Sequence, residues 1–312
     1  MKINYIILFL TFSILNTTVV SFKKNNIAIK KNLLKEKPCS EEQCIITSKN
    51  HNMYCNSAAD LYIKQHDFLS NKKLITISPG GFKGFYLMGV LTYIKETYNM
   101  SDYIFSGASA GSWNSLFMCY KGEALEFVYN LLDYNIKKAK SISEMQYFLK
   151  YKILSSYKDT DFDLQRLFIG VTSFAKFRPT TNIFSDFSDL DDAINCCMAS
   201  SHIPFITGGI TNRYNNMFSF DGGFSNYPYL NKDSGVLHVS HTMWEDLKNG
   251  KNKKRSIKTL IQSVKHFSEF FSISKNNLLE LFDNGYNDAK KNKEYLDEIF
   301  LERTNDESNI EF

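Results

Sequence analysis

Apolar residues along this chain follow two rhythms, and the switches between them mark its elements. Leu74 to Ser78 is a short apolar, β-branched run ended by the turn Pro79-Gly80-Gly81-Phe82-Lys83-Gly84, the pattern of a buried strand. Leu87, Val90, Leu91 and Ile94 then recur at i, i+3, i+4 and i+7 on one face of a predicted helix that Asn99 closes. Gly89, inside that helix, implies close backbone packing. The succession repeats. Tyr103 to Phe105 reads as a strand and Ser106 to Gly111 as a turn of small residues. A helix with Trp113, Leu116, Phe117 and Tyr120 on one face follows. Two strand–turn–helix units in a row predict an α/β fold, with a parallel sheet covered on both faces and reactive groups gathered at the carboxyl ends of its strands. Both glycine turns fall at such ends. Further on, Val236 to Val239 reads as a strand with His238 embedded in it. From Ile257 to Ile299 apolar residues return at helical spacing, as in Leu278, Leu279, Leu281, Phe282 and Tyr286, and predict covering helices.

The ends of the chain have a different texture. Met1 to Ser21 has a Lys at position 2, an apolar stretch from Ile6 to Leu15 and a small, β-branched end, which reads as a signal peptide or an uncleaved anchor. Either one places the rest of the chain in the secretory pathway. Residues 22–72 read as a basic linker and a cysteine-containing N-terminal segment. Residues 246–312 read as a helical C-terminal extension, entered through a loop rich in Lys251, Lys253, Lys254, Arg255 and Lys258 and ending in a frayed polar tail from Glu302. Among Cys39, Cys44 and Cys55 one disulfide is expected, or, with His51, a three-Cys, one-His zinc site whose spacing fits no standard knuckle. Cys119, Cys196 and Cys197 sit in apolar surroundings and read as inert core thiols. Asn99-Met100-Ser101 is a glycosylation sequon, usable only in a lumen.

Composition narrows the class of protein without naming a function. The 312 residues are 43% hydrophobic and 22% charged, which excludes a mostly disordered, collagen-like or multi-span membrane chain. With 37 basic against 33 acidic residues the net charge is +4, too small to imply nucleic-acid binding.

Candidate chemistry sits in the two turns. Gly107-Ala108-Ser109-Ala110-Gly111 matches G-x-S-x-G, whose small residues let the chain turn sharply enough to present a serine above the sheet beside a helix amino end. Ser109 is therefore the candidate nucleophile. Gly80, Gly81 and Gly84 offer backbone N–H groups for a developing oxyanion. A phosphate-binding loop is the weaker reading of that turn. Pro79 occupies the first glycine position, and no Ser or Thr follows Lys83.

Together with Phe220-Asp221-Gly222-Gly223, these segments resemble the patatin-like phospholipases, which carry a glycine-rich oxyanion loop, a G-x-S-x-G serine and a later D-G-G or D-G-A aspartate in that order. Gly170-Val171-Thr172 resembles the family's central strand, and Ala199 to Pro204 its A-S-x-x-x-P stretch, so the resemblance spans about Lys73 to Ser240. Pro79 departs from it by removing one N–H. The resemblance implies a three-layer α/β fold with a mainly parallel central sheet flanked by helices, and a catalytic domain over residues 73–245. It further implies a Ser109–Asp221 dyad and an oxyanion loop of Gly80, Gly81, Phe82, Lys83 and Gly84. Gly107, Gly111, Gly222 and Gly223 would support the motifs. No cofactor and no metal would be needed, and the substrate would be a phospholipid or other acyl lipid at a membrane or lipid surface. Nucleic acid is not expected as a partner. For Asp221 to act as a base toward a hydroxyl, burial beside the serine must raise its pKa. Phe82, Phe85, Tyr86 and Trp113 are candidates for an apolar rim on a shallow surface around Ser109.

Three alternatives accompany this reading. A Ser-His-Asp esterase would use Ser109, Asp221 and either His238 or His241, an order the chain permits. A catalytically inactive patatin-fold protein would bind lipid or serve as a tethered scaffold. A small-ester esterase or a transacylase would differ only in acyl chain and acceptor.

Overall fold

In the computed structural model of the protein the described residues are 53–55, 57–132, 136, 139, 141–175, 178–248 and 277–301. The leader, the basic linker, Cys39, Cys44, His51, the run from Lys251 to Lys258 and the polar tail lie outside them. The described residues all belong to one compact unit, 41–312.

In chain order the elements are β1 (Met53–Cys55), α1 (Ser57–Gln65), α2 (Asp67–Ser70), β2 (Lys73–Ile77), α3 (Gly84–Thr97), β3 (Tyr103–Gly107), α4 (Ala110–Cys119), α5 (Ala124–Leu131) and α6 (Ile142–Ser156). There follow β4 (Leu167–Ala175), β5 (Arg178–Phe184), α7 (Leu190–Ser200), the hairpin β6 (Asn212–Tyr214) and β7 (Met217–Ser219), β8 (Gly235–Val239), α8 (Met243–Lys248), α9 (Leu278–Lys291) and α10 (Lys293–Phe300). Six strands form one sheet in the order β1-β5-β4-β3-β2-β8. Every neighbouring pair is parallel except β4 and β5. The fold is thus the expected mixed α/β arrangement, a mainly parallel sheet flanked by helices.

Parallel strands must be covered on both faces, and the two strand–turn–helix units supply much of that cover. Ile75, Ile77, Leu87, Leu91, Ile94 and Phe105 are all fully buried, each contributing about 1.5–3 kcal/mol of transfer free energy. The helix α3 is buried on more than the one face its periodicity predicts, because α9 lies along its outer side. A Cβ on Gly89 would meet Phe282 O at 2.0 Å, and one on Gly285 would meet Tyr86 O at 2.0 Å, so the two helices touch backbone to backbone at these glycines. Phenol groups seal the contact and tie the end of α3 to α10. Tyr86 Oη donates to Asp288 Oδ2 at 2.9 Å, Tyr98 Oη to Asp297 Oδ1 at 2.8 Å and Tyr286 Oη to Glu96 Oε2 at 3.0 Å.

Tyr120, grouped by spacing with the α4 face, lies one residue beyond the helix and forms an isolated bridge with Phe162. Its ring packs on Phe127 at 4.8 Å and Tyr157 at 5.1 Å. Two features N-terminal to Lys73 escape the hydrophobic pattern: β1, which pairs with β5 at the sheet edge, and α1, whose Ala59 and Tyr62 are buried. Cys119, Cys196 and Cys197 are fully buried, and desolvation pushes the thiols of Cys119 and Cys197 up to about 12, so they stay protonated and inert.

Candidate active site

The strands β2 and β3 are neighbours in parallel register, with Ile77 opposite Gly107, so both glycine turns leave the sheet at the same edge. At the second turn the chain reverses within a few residues. Ser109 takes φ 54° and ψ −127°, a region a non-glycine residue occupies only when its surroundings enforce it. The enforcement comes from close backbone contacts. A Cβ on Gly107 would sit 2.1 Å from Gly111 O, and one on Gly111 would sit 2.1 Å from Ile77 O. Ser200, at the end of α7, adds a strut by accepting from Ser109 N at 2.8 Å and donating to Gly170 O at 2.7 Å. This explains the Ala199–Pro204 stretch, whose first serine ties the backbone of Ser109 to the strand β4.

Asp221 reaches the serine from a segment bonded to the edge of β4 at Thr172, opposite the edge that β5 pairs with. Phe220 bridges Thr172, with Phe220 N donating to Thr172 O at 2.8 Å, and Asp221 N donates to His202 O at 2.7 Å. His202 thus supplies a carbonyl that places Asp221. Ser109 Oγ donates to Asp221 Oδ2 at 2.6 Å, and Gly223 N donates to Asp221 Oδ1 at 2.7 Å. Gly222 backs onto Ala108 and Gly170 O, each 2.5 Å from where its Cβ would be. Ser109 is 6% exposed and Asp221 5%. Desolvation raises the Asp221 pKa to about 6, opposed by the hydrogen bonds from Ser109 and Gly223. That is the elevation a carboxylate base requires, and it leaves the group ionised at neutral pH.

In the first turn the donors are fewer than the motif implies. Lys83 N donates to Gly80 O at 3.0 Å, and Gly84 N donates to the carbonyls of Gly81 and Phe82, because Gly81–Lys83 winds into a short 3₁₀ turn. Lys83 and Gly84 are therefore not free oxyanion donors. The N–H groups of Gly80, Gly81, Phe82 and Ala110 bond to no described residue, and Gly81, Phe82 and Ala110 line the cleft beside Ser109. Pro79 lies against the aspartate loop, with its Cβ 3.2 Å from where a Cβ on Gly223 would be.

The two histidines of the triad alternative are placed elsewhere. His238, exposed on β8, bonds Thr76 Oγ1 at 2.8 Å through Nδ1 and packs on Tyr229. His241 is pushed down to about 4, chiefly by desolvation and next by Lys83. The Asp221 carboxylate is engaged by Ser109 and Gly223, with no imidazole among its described partners.

Beside Ser109 opens a cleft between α3, α4, α5 and α6. Phe82, Phe85 and Trp113 line it, as expected of the rim, whereas Tyr86 turns outward to Asp288. The expected shallow surface is instead a groove, deepened by Met88, Leu116, Phe127 and Leu131 and by Ile142, Met145, Leu149 and Ile153 of α6. The reading of the sequence passed over α5 and α6. Their signal was present in Ala124, Phe127, Val128 and Leu131 at i, i+3, i+4 and i+7. Among the described residues no cluster of three or more His, Cys, Asp or Glu is arranged to hold a metal ion.

The sequence model of the patatin-like phospholipases matches residues 75–231, half of the 312-residue chain. The chain belongs to the patatin-like phospholipase family. No curated protein sequence matches it. Among solved structures, that of VipD from Legionella pneumophila aligns with a TM-score of 0.38 at 11% identity, covering 71% of this chain and 66% of VipD. The chain thus spans slightly less than two thirds of that neighbour. The patatin-like match begins in β2 and ends shortly after the Asp221 loop, so it contains the serine elbow, the Pro79–Gly84 turn and Asp221, while α9 and α10 lie beyond it.

Proposed function

We propose that this patatin-like protein is a lipid acyl hydrolase acting through a Ser109–Asp221 dyad. The observation that carries the reading is the 2.6 Å hydrogen bond from Ser109 Oγ to a buried Asp221 carboxylate at the head of an apolar groove. In the proposed reaction Asp221 accepts the Ser109 proton as Ser109 Oγ bonds to the ester carbonyl carbon. The resulting oxyanion is met by N–H groups of Gly80, Gly81, Phe82 and Ala110. Asp221 returns the proton to the departing alcohol. It then takes one from water, which attacks the acyl-enzyme, and passes it to Ser109 Oγ as the fatty acid is released. The apolar lining favours an acyl lipid over a polar ester, and the leader-like residues 1–21 support a luminal or membrane-anchored setting.

Fatty acid release from phospholipid vesicles, triacylglycerol and short esters, measured in chelator, tests the proposal. Activity in the parent, lost in Ser109→Ala and Asp221→Asn and kept within twofold in His238→Ala and His241→Ala, is the expected result. Loss in a folded histidine variant would replace the dyad by a triad. Silence of the parent on every ester would leave the lipid-binding scaffold as the better reading.

A further inference from the structure

The face that α6 turns to the groove is Ile142, Met145, Gln146, Leu149 and Ile153. Four of these are apolar and one is an amide. Gln146 is 5% exposed, lines the groove, and its side-chain amide makes no hydrogen bond to any described residue. Asn114, the other amide in the lining, behaves differently: its Nδ2 donates to Gly84 O at 3.0 Å and Ala110 O at 2.9 Å, tying the oxyanion loop to α4. Asn114 is held through its Nδ2, with its enclosed Oδ1 unpartnered among the described residues, whereas neither end of the Gln146 amide bonds a described residue. Its amide atoms are not among the enclosed, unpartnered ones, so they stay open to the groove at a position where a Leu or Met would complete the apolar stripe. The unmet donors and acceptor therefore face the space a ligand would fill.

We propose that Gln146 makes the groove selective for acyl chains that carry a hydrogen-bonding oxygen within their hydrocarbon length, a hydroxyl above all. This rests on the acyl-hydrolase reading of Ser109. A primary amide offers two N–H donors and a carbonyl acceptor, and a hydroxyl, which both donates and accepts, answers it on both sides. A plain hydrocarbon chain leaves the amide dry. A site built to hydrogen-bond a substrate group discriminates against the analogue lacking it more strongly than any apolar pocket counts methylenes.

The test compares p-nitrophenyl stearate with its positional hydroxystearate esters, using the parent and Gln146→Met. The parent is expected to prefer at least one hydroxylated ester by about tenfold or more in kcat/KM. Gln146→Met is expected to bring that ratio to within about twofold, with the plain ester gaining and the hydroxylated one losing. Equal ratios in parent and variant would overturn the proposal, as would a variant that fails to fold, since the amide would then be structural. A second readout separates this proposal from the hydrolase reading: displacement of a fluorescent fatty acid from the Ser109→Ala protein by stearate and by the hydroxystearates. Selective displacement with no turnover of any ester by the parent would keep Gln146 and discard the hydrolase. Turnover without discrimination in either assay would do the reverse.

Discussion

The turn at Pro79–Gly84 and the turn at Gly107–Gly111 each carry a strand of the same sheet into a helix, yet a single methyl group tells them apart. Placed on Gly107 or Gly111 it would lie 2.1 Å from a backbone oxygen, whereas placed on Gly80 its nearest neighbour would be 3.6 Å away, an ordinary contact. In the elbow, glycine is required for space: the chain packs on itself and on β2 so tightly that Ser109 is held in a strained conformation, aimed at Asp221. In the loop, glycine leaves backbone N–H groups uncovered, and only Gly81, at φ 52°, needs the left-handed region. One turn is built to hold a side chain still and the other to present its main chain. The contact of Gly84 with Ala110, 2.8 Å from where a Cβ would sit, locks the two together.

Four experiments would break or sharpen this contrast. The largest effect is expected from the side chains the elbow serves: Ser109→Ala and Asp221→Asn should each lower fatty acid release by about a thousandfold or more, and comparable activity in either would detach the elbow from the chemistry. Next is the elbow's backbone. Gly111→Ala should cost more than about 3 kcal/mol in urea unfolding, while Gly80→Ala should change stability by less than about 1 kcal/mol, and similar values for the two would erase the distinction.

The third concerns protons. Because Asp221 must be ionised to act as a base, kcat/KM should rise about tenfold per pH unit below about 6 and level off above it. Its folded pKa, raised from 3.8 to about 6, means that the stability linked to the protonated form is fully present below 3.8 and is lost as pH rises through 6. That loss amounts to about 3 kcal/mol at neutral pH. Asp221→Asn escapes it, so the inactive variant should unfold at a higher urea concentration than the parent at pH 7, with the gap closing near pH 4. The smallest effect is expected at Pro79. Restoring glycine there should change fatty acid release by less than about threefold, because Gly80, Gly81, Phe82 and Ala110 already supply donors; a large gain would show that the missing N–H belongs to the oxyanion site.

Local signals in the chain made the site legible where chemistry and turn geometry coincide. The β-branched run before Pro79, the 3.6-residue period after it and the G-x-S-x-G pentapeptide each constrain a few adjacent residues, and the strands and helices stand where those patterns put them. Gly89 announced a close backbone contact, though not that α9 would make it. What stayed illegible depends on partners distant in sequence. The pairing of β1 with β5 and the strut from Ser200 to Ser109 leave no periodic trace. Lys83 and Gly84 fell out of the oxyanion set for a reason a motif does not encode, since the same residues that form the loop also close its 3₁₀ turn with their own N–H groups. The groove was missed for a plainer reason: α5 and α6 carry a readable apolar stripe but no residue with chemistry to draw the eye.

The contact between α3 and α9 also bears on how the protein comes to be folded during synthesis. Tyr286 and Glu96 are bonded across 190 positions, and Gly89 can seat only against the backbone of Phe282. The strand, turn and first helix of the site therefore emerge from the ribosome long before the segment that covers that helix. Until then an apolar flank of α3 stays open to water and to other nascent chains. Contacts of such long range close slowly, because the loop entropy is lost before the contact energy is gained. The last helices thus act as a late-arriving latch, and a chain stalled before Leu278 would display a sticky, half-dressed site in need of a chaperone.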